Sequence, residues 1–319
     1  ACKRTMRRHG YTARGTPRWY CPRCRKTGIR SRPDTRERHA LRRFVSWLTG
    51  KASIRELAHA YRVSRQIVSR RFQPHFQRAV SWPVPPAIRI LVLDGAYVHG
   101  RWLVVLVALT EDGIACWTFA PRETAAAWSS FLIRLPRPEI VVCDSQKGLL
   151  KAIREVWPGI AIQRCYFHIL QLARRYLTRR PKTEAGREIQ AIMRGLARIR
   201  VETAAQAWRL AYEVWEERYA PFLAEQTYYR DGTRVRWWYT HRHLCGMRSL
   251  IQGALPHLFT FLQYPGTPNT TNHVEGGVNT MIAEALRLHR GLRLHQKETL
   301  VSLLLAERNR RRNATRKFT

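Results

Sequence analysis

Three acidic side chains stand where two strands and a late helix would deliver them to one place. Asp94 and Asp144 each end a short, mostly β-branched apolar run, and Glu275 begins a helical pattern much later in the chain. Such a run ending in an acid is typical of a buried parallel strand, which presents the carboxylate at the carboxyl edge of its sheet. Three carboxylates placed together can hold two Mg²⁺ or Mn²⁺ ions roughly 3.5–4 Å apart, one activating the attacking oxygen and the other stabilising the leaving oxygen at a phosphodiester.

The elements around the two aspartates predict an α/β fold. The predicted elements are strands 88–94, 102–110, 114–119, 139–144 and 160–165 and helices 123–135, 147–157 and 167–178. Short connections make the first three strands an antiparallel meander, and helical crossovers join the later ones. The first strand can then lie beside the fourth, next to Asp144, in a ribonuclease H-like mixed sheet. The alternative is a generic α/β domain whose strand-end acids are solvated or cap helices.

The spacing of the acids predicts how the chain is divided. Asp94 and Asp144 are 50 residues apart, whereas 131 residues separate Asp144 from Glu275. A mostly helical insertion, residues 179–268, therefore interrupts a catalytic core formed by residues 87–178 and 269–319. Its aromatic side chains are expected mostly in a core, with one or two able to stack on unpaired bases. They are Trp208, Trp215, Tyr228, Tyr229, Trp237, Trp238 and Tyr239.

The third acid has competing interpretations. Asn272 lies three residues before Glu275, and this Asn-x-x-Glu pattern resembles a capping box, in which the glutamate satisfies backbone N–H groups at a helix start. Glu284, Glu298 and Glu307 are alternative third acids. Glu275 is favoured because two glycines follow it and leave room for DNA to approach.

Residues 1–30 are basic and carry the pair Cys21-Pro-Arg-Cys24, which has the spacing of a zinc knuckle. Cys2 is the third candidate ligand for Zn²⁺. A partner that completes a second Cys-x-x-Cys with Cys2 would precede the first residue, and because the chain begins with Ala we expect the sequence to be trimmed there. His9 is a weaker substitute. No thioredoxin-like context surrounds the pair, so a zinc ribbon is preferred over a redox pair.

Residues 31–81 contain the pattern of a helix-turn-helix. Leu57 and Ala60 are expected to face inward on the first helix. Val63 fills the turn, and Ser64 caps the second helix. The second helix then offers polar side chains that can reach base edges or phosphates. They are Arg65, Gln66, Ser69 and Arg70. The alternative is an ordinary αα-hairpin with a solvated basic face, and the net charge favours DNA binding.

The charge of the chain is its strongest compositional feature. Lys and Arg number 57 against 22 Asp and Glu, which gives a net charge of +35 over 319 residues. Such an excess in a foldable chain indicates a polyanionic partner. Nucleic acid is favoured over a ribosomal or anionic-membrane partner because the arginines are spread along the whole chain.

The apolar pattern predicts neither a membrane segment nor an export signal. No stretch approaches the ~18–20 apolar residues of a membrane span, and the basic N-terminal residues lack the apolar segment of a signal peptide. Seven cysteines, some in core-like strands, fit a reducing compartment better than a disulfide framework. We therefore expect no membrane partner and a cytoplasmic location.

Cys165 and His168 form a Cys-x-x-His pair that spans the end of the last predicted strand and the start of the next helix. No second Cys/His pair follows at the spacing of a zinc site. A structural role that braces the acid-bearing strands is therefore preferred over metal binding.

Five motifs follow one another along the chain. They are Asp94-Gly95, Asp144, Cys165-x-x-His168, Thr270-Thr-Asn-His-Val-Glu275-Gly-Gly-Val-Asn279 and His289-Arg-Gly291. Together and in this order they resemble the bacterial Mutator-type insertion-sequence transposases. The N-terminal zinc ribbon and helix-turn-helix are similar to those of the smaller subgroup of that family. The resemblance covers nearly the whole chain and is weakest over residues 179–268.

This resemblance implies a ribonuclease H-like core with Asp94, Asp144 and Glu275 as its acidic triad. It further implies recognition of terminal inverted repeats, Mg²⁺-dependent strand cleavage and joining of the 3′-OH to target DNA. Because two element ends must be handled together, we expect a homodimer or larger complex, associated with the bacterial nucleoid. The alternatives are a ribonuclease H-like nuclease or resolvase and a non-catalytic, transposase-derived DNA-binding regulator.

Overall fold

The structure is a computed structural model of the chain, in which two compact units comprise residues 1–78 and 79–319. It describes residues 5–29, 33–50, 52–77, 80, 82–100, 102–144, 146–231, 233–271 and 275–316. The side chains of residues 33–36, 275, 276 and 313–316 fall outside this description. Two of the predicted site residues, Cys2 and Asn272, also lie outside the described residues.

The first unit begins with a small antiparallel sheet. Its strands are β1 (Arg7–Tyr11), β2 (Pro17–Tyr20) and β3 (Thr27–Ile29). β2 is the central strand and pairs with both of its neighbours. Cys21 and Cys24 lie in the turn that joins β2 to β3, so the sheet presents both thiols at one end.

Three helices follow in this unit, and a serine side chain caps two of them. They are α1 (Pro33–Thr49), α2 (Ile54–Ala60) and α3 (Arg65–Phe72). The Ser53 hydroxyl accepts a hydrogen bond from the Glu56 N–H, and the Glu56 carboxylate accepts one from the Ser53 N–H, which completes a capping box. Ser64 caps α3 as predicted, because its hydroxyl accepts a hydrogen bond from the Ile67 N–H.

Aromatic side chains pack α1 against α3. The rings of Phe44 and Trp47 lie 5.4 and 5.0 Å from the ring of Phe72, measured between centroids. In α2 the buried alanine is Ala58, whereas Ala60, predicted to face inward, is exposed. Ala60 is the last residue of α2, where the chain turns toward α3, so that part of the prediction is wrong.

The second unit is built on a five-stranded mixed sheet. Its first elements are β4 (Ile90–His99), β5 (Leu103–Thr110), β6 (Gly113–Ala120), α4 (Ala125–Leu132), β7 (Ile140–Cys143), α5 (Lys147–Val156) and β8 (Ala161–Arg164). The strand order is β6-β5-β4-β7-β8, with the first three antiparallel and β7 and β8 parallel to β4. The first strand of the unit therefore lies beside the fourth, as predicted from the element order.

A helical segment follows the sheet and has a core of its own. Its elements are α6 (Tyr166–Leu177), α7 (Glu184–Leu196), α8 (Glu202–Ala224), β9 (Gln226–Asp231), β10 (Arg234–Tyr239) and α9 (Arg242–Ala254). Trp208 and Trp215 are buried in this core, as expected. The antiparallel β9–β10 hairpin was not predicted, and its aromatic side chains are exposed because no second layer covers them. They are Tyr228, Tyr229, Trp237, Trp238 and Tyr239.

The chain then returns to the sheet through α10 (Thr280–Leu288) and α11 (Leu294–Arg316). Since side chains alternate along a strand, both faces of the sheet are buried. One face packs against α4 and α5 through residues that include Leu91, Leu93, Trp128, Phe131 and Ile153. The other packs against α10 and α11 through residues that include Ile90, Val92, Ile282, Val301 and Leu305. None of the described helices has the length and apolar character that a bilayer crossing requires.

Candidate active site

Asp94 lies in the middle of β4, whereas the sequence predicted it at the strand end. β4 continues to His99 because β5 goes on pairing with it as far as Leu103. The Asp94 side chain is buried at 6% exposure. Its Oδ1 accepts a hydrogen bond from the Gly95 N–H at 2.9 Å, and its Oδ2 accepts one from Asn279 Nδ2 at 2.8 Å.

Asp144 directly follows the end of β7. The last paired positions of the two parallel strands are Val92 and Val142, so Asp94 and Asp144 stand at the same level two residues further on. Both continue the face of the sheet that packs against α10 and α11. Oδ1 of Asp144 accepts a hydrogen bond from the Gln146 N–H at 2.9 Å. The sheet register thus brings the two predicted aspartates together.

Glu123, which was not predicted, is a third carboxylate near these two. It lies between β6 and α4, and its carboxylate packs over Gly95. The contact is so close that a methyl group placed on Gly95 would come within 2.8 Å of Glu123 Oε1. The same oxygen accepts a hydrogen bond from Trp128 Nε1 at 3.3 Å. Burial first, and then the charges of Asp144 and Asp94, raise the pKa of Glu123 to about 7. Three acids therefore lie near the carboxyl end of β7, with Glu123 approaching from the face that packs against α4 and α5.

Gln146 connects two of these acids. Its side-chain Nε2 donates a hydrogen bond to the backbone carbonyl of Glu123 at 2.8 Å. Its backbone N–H donates the hydrogen bond that Asp144 accepts. Its Oε1 accepts a hydrogen bond from the Leu149 N–H at 2.6 Å and so caps α5. The loop after β7 and the loop after β6 are consequently held to each other.

The turn that carries Glu275 contacts Asp94 through its last residue. Glu275 to Asn279 form a π turn, a geometry frequent at functional sites, and Asn279 is the residue that donates to Asp94. The carbonyl of Gly277 accepts a hydrogen bond from Arg308 Nη1 at 2.8 Å, which fixes the turn to α11. The carboxylate of Glu275 lies outside the described side chains, so its place in the site stays a prediction.

The alternative third acids lie on the last two helices. Glu284 is exposed on α10, and Glu298 is half-buried on α11. Glu307 forms ion pairs with Arg310 and Arg311 at 3.6 and 3.1 Å. The negative charge of Glu307 is thus already balanced by two arginines.

Cys165 joins the end of β8 to the segment that leads into the π turn. Its N–H donates to the carbonyl of Cys143 at 2.8 Å, and its Sγ accepts a hydrogen bond from the Thr271 N–H at 3.1 Å. Burial opposes ionisation of the thiol, but hydrogen bonds involving His168 and Thr271 outweigh it, so the pKa of Cys165 lies below its usual value. The thiol therefore braces the chain just before the predicted third acid.

The donor atoms of the site suit a hard divalent cation. Asp94, Asp144 and Glu123 offer carboxylate oxygens, the ligands that Mg²⁺ prefers. Burial, and then the charges of the two aspartates, raise the pKa of Glu123. The Oδ1 atom of Asn279 is buried and has no hydrogen-bond partner among the described residues. Within that part of the chain, no three His, Cys, Asp or Glu side chains are already arranged as a metal site.

The predicted zinc ligands Cys21 and Cys24 lie in a tight turn. The Cys21 N–H donates to the carbonyl of Lys26 at 3.0 Å, and the Arg25 N–H donates to the carbonyl of Cys21 at 2.9 Å. The Cys21 side chain is buried and Cys24 is exposed. This turn supplies two thiols, and the third predicted ligand, Cys2, lies outside the described residues.

The polar residues predicted to contact DNA lie on the solvent side of α3. Val68 and Phe72 are the buried residues of this helix. The exposed residues include Arg65, Gln66, Ser69 and Arg70.

The second unit is thus an α/β domain that gathers acidic side chains at one edge of a mixed sheet. Residues 84–234 match the family model described as "Transposase, Mutator family". The matched range holds Asp94, Glu123 and Asp144 and ends before Glu275. This match confirms the resemblance to Mutator-type transposases over residues 84–234, where three of the five motifs lie. The subgroup expected from the N-terminal unit stays a prediction.

Curated relatives include transposases of bacterial insertion sequences. The transposase for insertion sequence element ISRM5 of Rhizobium meliloti (strain 1021) is 30% identical over 164 residues, covering 46% of this chain and 41% of that protein. A probable transposase for insertion sequence element of Corynebacterium diphtheriae is 27% identical over 158 residues, covering 43% of this chain and 46% of that protein. The chain thus spans less than half the length of the curated relatives it matches.

Proposed function

We propose that this chain is a DDE-type DNA transposase that binds the terminal inverted repeats of an insertion sequence, cuts a strand there and joins the end to target DNA. The observation that carries the proposal is the side-by-side placement of Asp94 and Asp144 on parallel strands within a Mutator-family domain. The names of the relatives, which are transposases for insertion sequence elements, support the choice of substrate. In this proposal the sheet is a ribonuclease H-like core, and the segment from α6 to α9 is an insertion into it.

Asp94, Asp144 and Glu275 are the proposed ligands of the catalytic cations. A pair of Mg²⁺ or Mn²⁺ ions, when bound, supplies an activated attacking oxygen and a stabilised leaving oxygen. Asn279 orients Asp94 through its hydrogen bond. Glu123, whose pKa is about 7 without a cation, is expected to lose its proton when positive charge is bound beside it.

The N-terminal unit is proposed to recognise the element ends. Its contacts would come from the polar face of α3, with the cysteine turn stabilised by Zn²⁺ on Cys21, Cys24 and Cys2. The net charge of +35 neutralises phosphates, so binding should weaken steeply as salt increases. Two ends must be held together for transposition, so the working form is proposed to be a dimer or larger complex on DNA.

The test uses a labelled duplex that carries the DNA flanking the gene, incubated with MgCl₂ and a target plasmid. Wild type should nick at one discrete position and give a joined product. Asp94→Asn, Asp144→Asn and Glu275→Gln should each lower both steps on the order of 10³-fold or more while end binding is retained. Glu284→Gln, an exposed acid of α10, is the matched control and should remain active.

Three results would redirect the proposal. Cutting without joining by the wild type would indicate a ribonuclease H-like nuclease or resolvase. Specific end binding with neither step would indicate a DNA-binding regulator. Full activity of Glu275→Gln, together with loss of activity in Glu284→Gln, would assign the third acid to α10.

A further inference from the structure

The β9–β10 hairpin carries most of the exposed aromatic side chains in the described part of the chain. Their exposed fractions are 64% for Tyr228, 55% for Tyr229, 52% for Trp237, 42% for Trp238 and 40% for Tyr239. In the helices of the same segment, Trp208 and Trp215 are only 6% and 1% exposed. The hairpin therefore contributes little to the core of this segment.

The strand register assigns these side chains to two faces. Residues directly opposite each other across an antiparallel pair share a face, so Trp237 and Tyr228 lie together. Tyr239 is two residues from Trp237 on the same face, and the two ring centroids are 5.5 Å apart in an edge-to-face arrangement. The opposite face presents Trp238 and Tyr229. Each face is therefore an open platform of aromatic rings.

Positive charge is interleaved with the rings. Arg230, Arg234 and Arg236 lie on the two strands, where Asp231 is the single acid. Arg236 stands directly opposite Tyr229 in the register. By this register Arg234 and Arg236 share the face of Tyr229 and Trp238, whereas Arg230 shares the face of Trp237, so a partner on either face meets positive charge.

A basic cavity of about 350 Å³ lies at the base of the hairpin. Thr240, the residue after β10, lines it together with Arg180, Lys182, Arg242 and His243. The cations come from the loop after α6 and from the start of α9. Positive charge therefore continues from the two strands into the body of the segment.

The exposed aromatic rings and arginines of this uncovered hairpin indicate that it binds a partner. A lone hairpin is marginally stable in water, and a contiguous exposed apolar patch on a soluble protein usually marks an interaction surface. The partner must bring flat apolar faces and negative charge together. Unpaired nucleotides do so, because bases stack on aromatic rings while phosphates bind arginine.

We propose that the β9–β10 hairpin binds unpaired DNA, with bases stacked on Trp237 and Tyr228 and phosphates held by Arg230 on the same face and by the basic cavity. This inference rests on the proposed function, in which strand cleavage exposes ends with unpaired nucleotides. Intact duplex does not suffice as the partner, because its base faces are stacked on one another. The hairpin therefore selects the opened form of the DNA.

A second copy of this chain is the less suitable occupant. Contact between two hairpins would bring two sets of three arginines together, and each chain has a net charge of +35. Like charges across an interface disfavour association. Negative charge on the partner is therefore required.

The test compares two labelled duplexes of one sequence, blunt or with a short unpaired 3′ tail, by fluorescence anisotropy in buffer that lacks Mg²⁺, Mn²⁺ and any chelator, so that no cleavage occurs and Zn²⁺ is kept. Wild type should bind the tailed duplex more tightly. The double variant Tyr228→Ala/Trp237→Ala should lose roughly tenfold or more in affinity for the tailed duplex and keep its affinity for the blunt one. Leu210→Ala, an exposed apolar residue of α8 at 60% exposure, is the control and should match wild type.

A stacking readout separates base contact from a folding defect. The fluorescence of a 2-aminopurine in the tail should be quenched by wild type and by Trp237→Phe, but not by the double variant.

Equal affinity of wild type for both duplexes overturns the hairpin proposal and leaves the proposed function standing. An unchanged tail preference in the double variant, with a lower molecular mass in solution, would make the hairpin a self-association surface. Failure to bind either duplex would overturn both proposals.

Discussion

The acid-bearing sheet edge and the aromatic hairpin differ in what holds their side chains in place. At the sheet edge each carboxylate has a partner within the chain: Asn279 for Asp94, Gln146 for Asp144 and Trp128 for Glu123. At the hairpin the rings are largely exposed to solvent. The carboxylates of the first region are held by the chain itself, whereas the rings of the second gain most of their contacts from a partner.

This difference has an energetic consequence. Substitutions at the sheet edge alter packing and electrostatics of the folded chain, so they should change its stability as well as its chemistry. Substitutions on the hairpin remove surface that is already solvated. They should change binding and leave the free energy of unfolding nearly constant.

We expect the largest change in the free energy of unfolding when a tryptophan of the sheet edge is replaced, and a much smaller one for a tryptophan of the hairpin. Trp128 is completely buried beneath Glu123, and Trp128→Ala should lower the free energy of unfolding by about 3–5 kcal/mol. Trp237→Ala should lower it by less than about 1 kcal/mol, since the ring is half exposed. Urea unfolding followed by circular dichroism measures both. Equal losses in the two variants would mean that the hairpin rings are packed in solution as firmly as Trp128.

The sheet could be predicted from the sequence because its signals are local. β-branched runs end at turn residues, and the order of strands and helices admits few topologies. The pairing of Val92 with Val142 then follows, and it places the two aspartates together. The extension of β4 beyond Asp94 could not be inferred, because it depends on continued pairing with β5.

The hairpin had a local signal that the helical interpretation overlooked. Gly232-Thr233 lies between two runs rich in Tyr, Trp and Val, and a glycine at the first position of a two-residue loop is typical of a hairpin turn. Glu123 had no comparable signal. It precedes Thr124, the cap of α4, and only the path of the chain after β6 brings it near Gly95.

A smaller effect is expected at Asn279, which orients Asp94. Asn279→Ala removes the hydrogen-bond donor to Asp94 Oδ2. Because the Asp94 carboxylate is then no longer held in one orientation, the rate of strand cleavage should fall roughly 10–100-fold. The Mg²⁺ concentration for half-maximal cleavage should rise, a change that loss of packing alone would not produce. Ala283→Ser, an exposed position of α10, is the control. An unchanged Mg²⁺ dependence would mean that Asn279 does not position Asp94.

The smallest effect is electrostatic and concerns Glu123. Its pKa is raised from 4.5 to about 7 in the folded chain, so the folded state binds more protons than the unfolded state between these values. Glu123 therefore destabilises the fold by an amount that is absent below about pH 4.5 and complete above about pH 7. Glu123→Gln removes this penalty.

Without added Mg²⁺ or Mn²⁺, the unfolding free energy of Glu123→Gln minus that of wild type should rise by roughly 1 kcal/mol from about pH 4.5 to about pH 7.5. This magnitude follows from the pKa shift after a discount for solvent screening, because the side chain is only partly buried. Saturating MgCl₂ should shrink the rise, since a cation beside Asp94 and Asp144 favours the ionised glutamate. A difference that stays flat with pH would show that Glu123 ionises normally, and the sheet edge would then hold two coupled acids in place of three.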